Sequence, residues 1–397
     1  PGLRPPQLPN RRQESALTAA LLQQPVKQSA ASPSTTDTNN VTVVQSGTYN
    51  IINRPGINQV YRDGGDPNNT DIVQSGDDNE IKRVDQVGNG NDLTITMSGD
   101  ENFLNSSRQI GRGAPSSNAV DNSVVLVISG NNNGGGSLTD DFSGAVGANA
   151  SQILQRGLDN QTTLDFAGDY NQFGVKQSGE RNNATGIVVT GDYNSVGVGQ
   201  IGMDNLITLT TVTGDDNSIG FNQNGNNNLG AADISGNLNN ALIEQLGDDN
   251  DTELWVDGKS NTATLKADGN DNRLRAQQRF GENNGMTIDV TGNNNNDLSN
   301  PSFAGAAQAA RTDANNATGL LFRRGSVWQH GSENEMTVIV DNSNNNDFAM
   351  LQQGSNNSIS GNISGTGSNQ AAVAQLGNNN STNFNQSGSG NNLGVTQ

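Results

Sequence analysis

Residues 171–182 read NQFGVKQSGERN, and the spacing inside this stretch constrains the chain more than any other feature. Counted from Asn171, Phe173, Val175 and Gln177 fall at offsets two, four and six, Gly179 at eight and a new Asn182 at eleven. The frame recurs with other side chains: Val196, Val198, Gln200 and Gly202 follow Asn194; Ile219, Phe221, Gln223 and Gly225 follow Asn217; Ala241, Ile243, Gln245 and Gly247 follow Asn239. Alternation of inward and outward residues over six or seven positions is the signature of a half-buried strand. The glycine and asparagine then mark a corner, because positive backbone angles cost least for those two residues.

Sister units without the glutamine lie between these, as in NQTTLDFAGDYN (160–171) and NATGIVVTGDYN (183–194), so the full repeat is about 22–23 residues. A period of that size points to a solenoid. The predicted fold is all-β: a two-layer β-solenoid of strand-turn-strand-turn rungs, cross-β stacked at about 4.8 Å. Stacking would line up Gln177, Gln200, Gln223 and Gln245 as an amide ladder. It would also line up the corner residues Asn171, Asn182, Asn194 and Asn217, with Gly179, Gly202 and Gly225, where asparagine side chains can satisfy turn backbone.

A composition of 31% hydrophobic and 4% aromatic residues is too lean for large globular cores in 397 residues, but suffices for thin rungs. No cysteine is present, which excludes disulfides and thiolate metal sites. No apolar run is long enough to span a membrane. The net charge of −19 disfavours nucleic acid and anionic lipid as partners. The acids concentrate in corners such as GDYN and GDDN, and stacking would bring Asp169, Asp192 and Asp215 into one repelling column. These three are candidates for weak calcium binding; no other cofactor is implied, and the corners do not follow the calcium-binding nonapeptide. His330 stands without a second His or any Cys nearby and reads as an exposed or corner residue, and no acid pair converges on a pocket, so an enzyme is not expected. The parallel β-helix polysaccharide enzymes are the alternative that such a fold leaves open.

Residues 1–38 are proline-rich and then polar, with a short helix expected near Glu14–Gln24; they read as a leader, or as a secretion or capping segment. Pro1 in place of Met is the expected start of a form that has lost a signal peptide. Rungs are predicted over 39–397, with irregular stretches near 51–69, 112–150 and 296–326, the last long enough to leave the stack as a loop or short helix. The basic clusters at 272–281 and 322–326 read as solvated faces or partners of neighbouring acids, and Trp255 and Trp328 take outward offsets suited to lateral packing or carbohydrate contact. Val41, Val43 and Gln45 near one end, and Leu393, Val395 and Gln397 at the other, repeat the inward offsets and are the expected edges for head-to-tail assembly.

Units such as NQFGVKQSGERNNA (171–184) resemble the repeats of the curlins, the subunits of bacterial curli amyloid fibres, and the resemblance covers roughly residues 39–397. It implies a secreted structural protein at a bacterial cell surface, associating with itself into fibres of a biofilm matrix with the help of secretion and nucleation proteins. Two departures stand out. The second glutamine of the curlin repeat is replaced by Val189, Val212, Ile234 or Val256, and the repeats are far more numerous. A monomeric solenoid at the cell surface, binding ice or carbohydrate or acting as an adhesin, is the competing expectation.

Overall fold

The computed structural model of the chain describes residues 27–30, 39–61, 66–111, 122–138, 147–208, 210–297, 302–319 and 323–397. Its strands form two parallel sheets of 15 strands each. Sheet A runs from Lys27–Ala30 and Ile51–Tyr61 to Ser381–Ser389, and sheet B from Asn40–Ser46 to Asn392–Gly394. Successive strands alternate between the sheets, except where Phe103–Leu104 with Ser106–Ile110, and Leu206–Ile207 with Thr210–Thr213, share a level of one sheet. Two strands and two corners therefore make one rung, and the chain is the β-solenoid its period predicts.

Register follows the sequence frame. Phe173 pairs with Val196, Val175 with Val198, Gln177 with Gln200 and Gly179 with Gly202. Offsets two, four and six point inward, so Phe173, Val175 and Gln177 are buried. The core is one layer of side chains from each sheet: Phe166 of sheet B meets Phe173 of sheet A with ring centroids 5.3 Å apart. Each buried Val, Leu, Ile or Phe contributes about 1.5–3 kcal/mol. A rung holds too few of them to stand alone, and stacking on its neighbours makes the core continuous.

Two stretches expected to be irregular contain strands. Within 51–69, Ile51–Tyr61 belongs to sheet A, with a register shift between Ile52 and Gly56 that spans Pro55. A proline cannot donate to the ladder and is accommodated at such an irregularity. Within 112–150, Ser123–Ser129 is a regular strand whose Val124, Leu126 and Ile128 are buried. Insertions on both sides had hidden its spacing. The helix expected near Glu14–Gln24 lies outside the described residues, and Lys27–Ala30, inside the leader segment, pairs with Asn58–Tyr61.

The 296–326 stretch does leave the stack. Helix α1, Gly305–Thr318, buries Ala307, Ala310 and Ala314, a stripe at helical spacing, against Ala349, Leu351, Ala372 and Ala374 on the outer face of sheet B. Alanine on both sides permits close approach. Two of its orphan N-terminal donors are satisfied from the sheet: Ala304 N–H donates to Gln370 Oε1 at 2.9 Å, and Ala307 N–H to Asn392 Oδ1 at 2.8 Å. Gly319 ends the helix in the left-handed conformation, φ 69°.

Candidate functional site: axial ladders and the outer faces

The four glutamines singled out in the sequence belong to a longer ladder. Gln177 Nε2 donates to Gln200 Oε1 at 2.7 Å, Gln200 to Gln223 at 2.8 Å and Gln223 to Gln245 at 2.8 Å. The series begins earlier in sheet A, through Gln59, Gln86, Gln109 and Gln155. It stops at Gln245, whose neighbour in register is Ala267. A second ladder then appears in sheet B: Gln278, Gln329, Gln352, Gln375 and Gln397, with links of 3.0–3.3 Å. Each buried amide also serves corner carbonyls, as Gln200 Nε2 does for Asn183 and Asn205. Sequence reading missed the second ladder, although its 22- and 23-residue spacings from Gln329 to Gln397 carry the same signal.

The corner asparagines form two uninterrupted columns. Asn171, Asn194 and Asn217 belong to one, which runs from Asn50 to Asn380 through thirteen asparagines. Asn182 belongs to the other, fourteen asparagines from Asn39 to Asn391. In each step the side chain works twice. Asn171 Oδ1 accepts the Asn194 N–H at 2.9 Å, while its Nδ2 donates to the Gly191 carbonyl at 2.9 Å.

That second bond explains why asparagine and glycine recur together. The carbonyl the asparagine needs belongs to a glycine that leaves no room for a side chain: a Cβ on Gly179 (φ 128°) would lie 1.8 Å from the Gly202 oxygen. Corner and ladder specify each other.

Asp169, Asp192 and Asp215 do stack, and their carboxylates are engaged. Asp192 Oδ1 accepts the Asp169 N–H at 2.8 Å, and Asp215 Oδ1 accepts the Asp192 N–H at 2.9 Å. Backbone dipoles thus offset part of the repulsion between rungs. The same arrangement lowers the pKa of Asp77, whose carboxylate accepts from the Thr48 side chain and from the Thr48 backbone N–H. Among the described residues no group of three or more His, Asp or Glu side chains could hold a metal ion, and no helix is long and apolar enough to cross a membrane.

Val41, Val43, Leu393 and Val395 are partly buried against the core. Gln45 Nε2 donates to Gln74 Oε1 at 2.6 Å, and Gln397 Oε1 accepts from Gln375 at 3.3 Å. All six positions lie along sheet B.

The outer faces are uneven. Residues at both ends of the insertion between Gly134 and Ser151 lie over sheet A, where Gly136 N–H donates to Gln172 Oε1 at 2.9 Å and Asn149 and Leu138 crowd Gly174. The basic residues at 273 and 275 pair with acids one rung away, Arg273 with Asp251 at 3.2 Å and Arg275 with Glu253 at 3.1 Å. Arg279 instead lies over the Trp255 ring, 6.0 Å from its centroid. His330, read as an exposed or corner residue, ends strand Ser326–His330 directly before the corner at Gly331, and it is half-buried there. Its ring is parallel to that of Trp328 within 4°, with centroids 6.1 Å apart, and Phe280 stands against it at 80° and 5.6 Å. Burial, and then the charge of Arg279, push the His330 pKa down and favour the neutral imidazole.

No protein-family model matches this sequence, and no curated protein matches it.

Proposed function

We propose that the chain is a structural subunit, similar to the curlins, whose copies stack end to end in an extracellular amyloid-like fibre of a bacterial biofilm matrix. One observation carries the reading: the asparagine corners repeat along the whole axis. The asparagine columns pass every corner without a break, even across the insertions before Ser151 and Gly325, so each rung presents to the next the donors and acceptors that the next presents onward. A surface that pairs with its own kind inside one chain fits the rung of a second copy equally well. Such a heterologous contact does not close and therefore propagates.

Charge sets the conditions. Subunits carrying −19 repel at low ionic strength, and salt screens this within about 8–10 Å at physiological levels. Purified protein incubated at neutral pH should form unbranched fibres visible by electron microscopy, with a meridional reflection near 4.8 Å. Added salt should shorten the lag, and sonicated fibres should abolish it. A protein that stays monomeric by sedimentation at high concentration, with seeds and salt present, is a monomeric solenoid and the proposal fails.

A further inference from the structure

Both tryptophans and the single histidine of the 397-residue chain stand on one face. They occupy the outer two of three adjacent rungs of sheet B: Trp255 is in register with Gln277 on the middle rung, and Gln277 with Trp328, which shares its strand with His330. Chance would scatter them. Two rungs separate the indoles by about 10 Å.

The strand between them is altered to add a fourth ring. Val256 pairs with Gln278 and Gly258 with Gly281, so Arg279 and Phe280 together face the single Asp257. This extra residue is a bulge, a device that re-aims a side chain. Here it holds Phe280 at φ 62°, a conformation costly for an aromatic residue, and leaves the residue 73% exposed. Rung stacking needs neither the bulge nor an exposed phenylalanine. With Phe280 at 80° to His330, and Trp328 parallel to His330 and partly buried against the cluster under α1, the corner holds ring planes in two perpendicular directions, Phe280 the most exposed.

We propose that this aromatic corner binds a neutral polysaccharide, with sugar rings against Phe280 and Trp328 and a further part of the same chain reaching Trp255. Rings with an amide at Gln277 and the guanidinium of Arg279 beside them match the alternating apolar faces and hydroxyls of a pyranose chain. An extended face, rather than a deep cavity, suits a polymer. The acids Asp257, Glu282 and Glu333, two of them exposed, outnumber the cations Arg279 and Lys259 at this corner and weigh against an anionic chain. The inference stands whether or not the rods polymerise.

The two tryptophans make the site its own reporter. Titrating the full chain with cellohexaose should give a saturable change in tryptophan fluorescence, and alginate a response at least tenfold weaker. Phe280→Asn suits the left-handed backbone and touches no core residue, so it should keep the β-sheet circular dichroism and melting temperature while weakening cellohexaose binding at least tenfold. Trp328→Ala should do the same to binding. Unchanged affinity in Phe280→Asn, equal binding of alginate, or no response to cellohexaose would each overturn the proposal. A fluorescence change that follows protein concentration without sugar and vanishes in Phe280→Asn would also overturn it, assigning the face to contact with a second copy of the chain.

Discussion

The rungs on either side of strands Asp251–Lys259 and Thr262–Asp268 share the same corners but carry their long glutamine ladders in opposite sheets, apart from the Gln45–Gln74 pair of sheet B near one end and Gln386 of sheet A near the other. Before them sheet A holds Gln155, Gln177, Gln200, Gln223 and Gln245, opposite Phe166, Val189, Val212 and Ile234 of sheet B. After them sheet B holds Gln278, Gln329, Gln352 and Gln375, and sheet A holds Val290, Val340 and Ile363. Val256 and Ala267 fill the position in the rung between, which has no glutamine. Gln245 and Gln278 are 33 residues apart, three strand-and-corner units where two would keep the ladder in its sheet.

The insertions follow the same half-rung shift. In the first region the chain leaves after Gly134 and returns at Ser151, four residues before Gln155. In the second it leaves after Asn296 and returns at Gly325, four residues before Gln329. Both of these insertions precede a glutamine strand and place residues on the outer face of the sheet that carries the glutamines: Leu138 and Asn149 over sheet A, and α1 over sheet B. The difference teaches which element sets register. The asparagine and glycine columns cross the junction unbroken, so they hold the solenoid together; the glutamine column can change sides because either sheet places its offset-six residue beside a corner carbonyl.

The largest expected effect tests that shared frame. Gly191→Ala in the first region and Gly354→Ala in the second each force a Cβ to within 2.2 and 2.0 Å of the next glycine oxygen at positive φ. Each should cost roughly 3 kcal/mol or more, and the two losses of thermal stability should be alike. A large loss in one region alone would mean that the frame is not common to both.

Next comes the ladder. Gln200→Leu and Gln352→Leu remove a buried amide and strand its neighbours, Gln223 and Gln375, at a cost of roughly 1–3 kcal/mol each. Gln353→Leu, one residue along and exposed, should cost little. Hydrogen exchange should place the loss around the altered rung, since repeats couple mainly to neighbours. If only the sheet A substitution destabilises, the two ladders are not equivalent.

How much of this was legible in the sequence depends on where the period was intact. From 160 to 250 the alternation of apolar residues with Gly and Asn corners gives sheet, register and inward face directly, because one stacked neighbour repeats another. The Val124, Leu126, Ile128 strand obeys the same frame but lies between two insertions, so local periodicity had no flanking unit to confirm it. The sheet change escaped notice because both ladders look identical within any one rung; only the 33-residue step reveals it. The aromatic corner was legible least. Trp255 and Trp328 are 73 residues apart in the chain, and nothing local shows that an inserted helix and a bulge bring their rungs within two sheet spacings.

The smallest effect separates the regions by pH. His330 lies in the second region, and burial holds its pKa below the ordinary 6.5. The unfolded chain then binds the proton more readily than the folded one, so His330 imposes no penalty above pH 6.5 and stability falls as pH drops below that value toward the folded pKa. The acids act elsewhere on the scale. Asp77 and Asp204, held low by Thr48 and Arg181, lose their contribution only as pH falls through the carboxylate range. Burial first, then nearby acids, raises Asp92 and Asp271, so their contributions move the opposite way, fading as pH rises through that same range. Between pH 7.5 and 5.5 hydrogen-exchange protection should therefore decline around Ser326–His330, by less than the loss in Gln352→Leu, and hold steady around Ser195–Met203. His330→Gln should flatten the decline. A decline of equal size in both regions would show that the corner acids, and not the one histidine, govern this window.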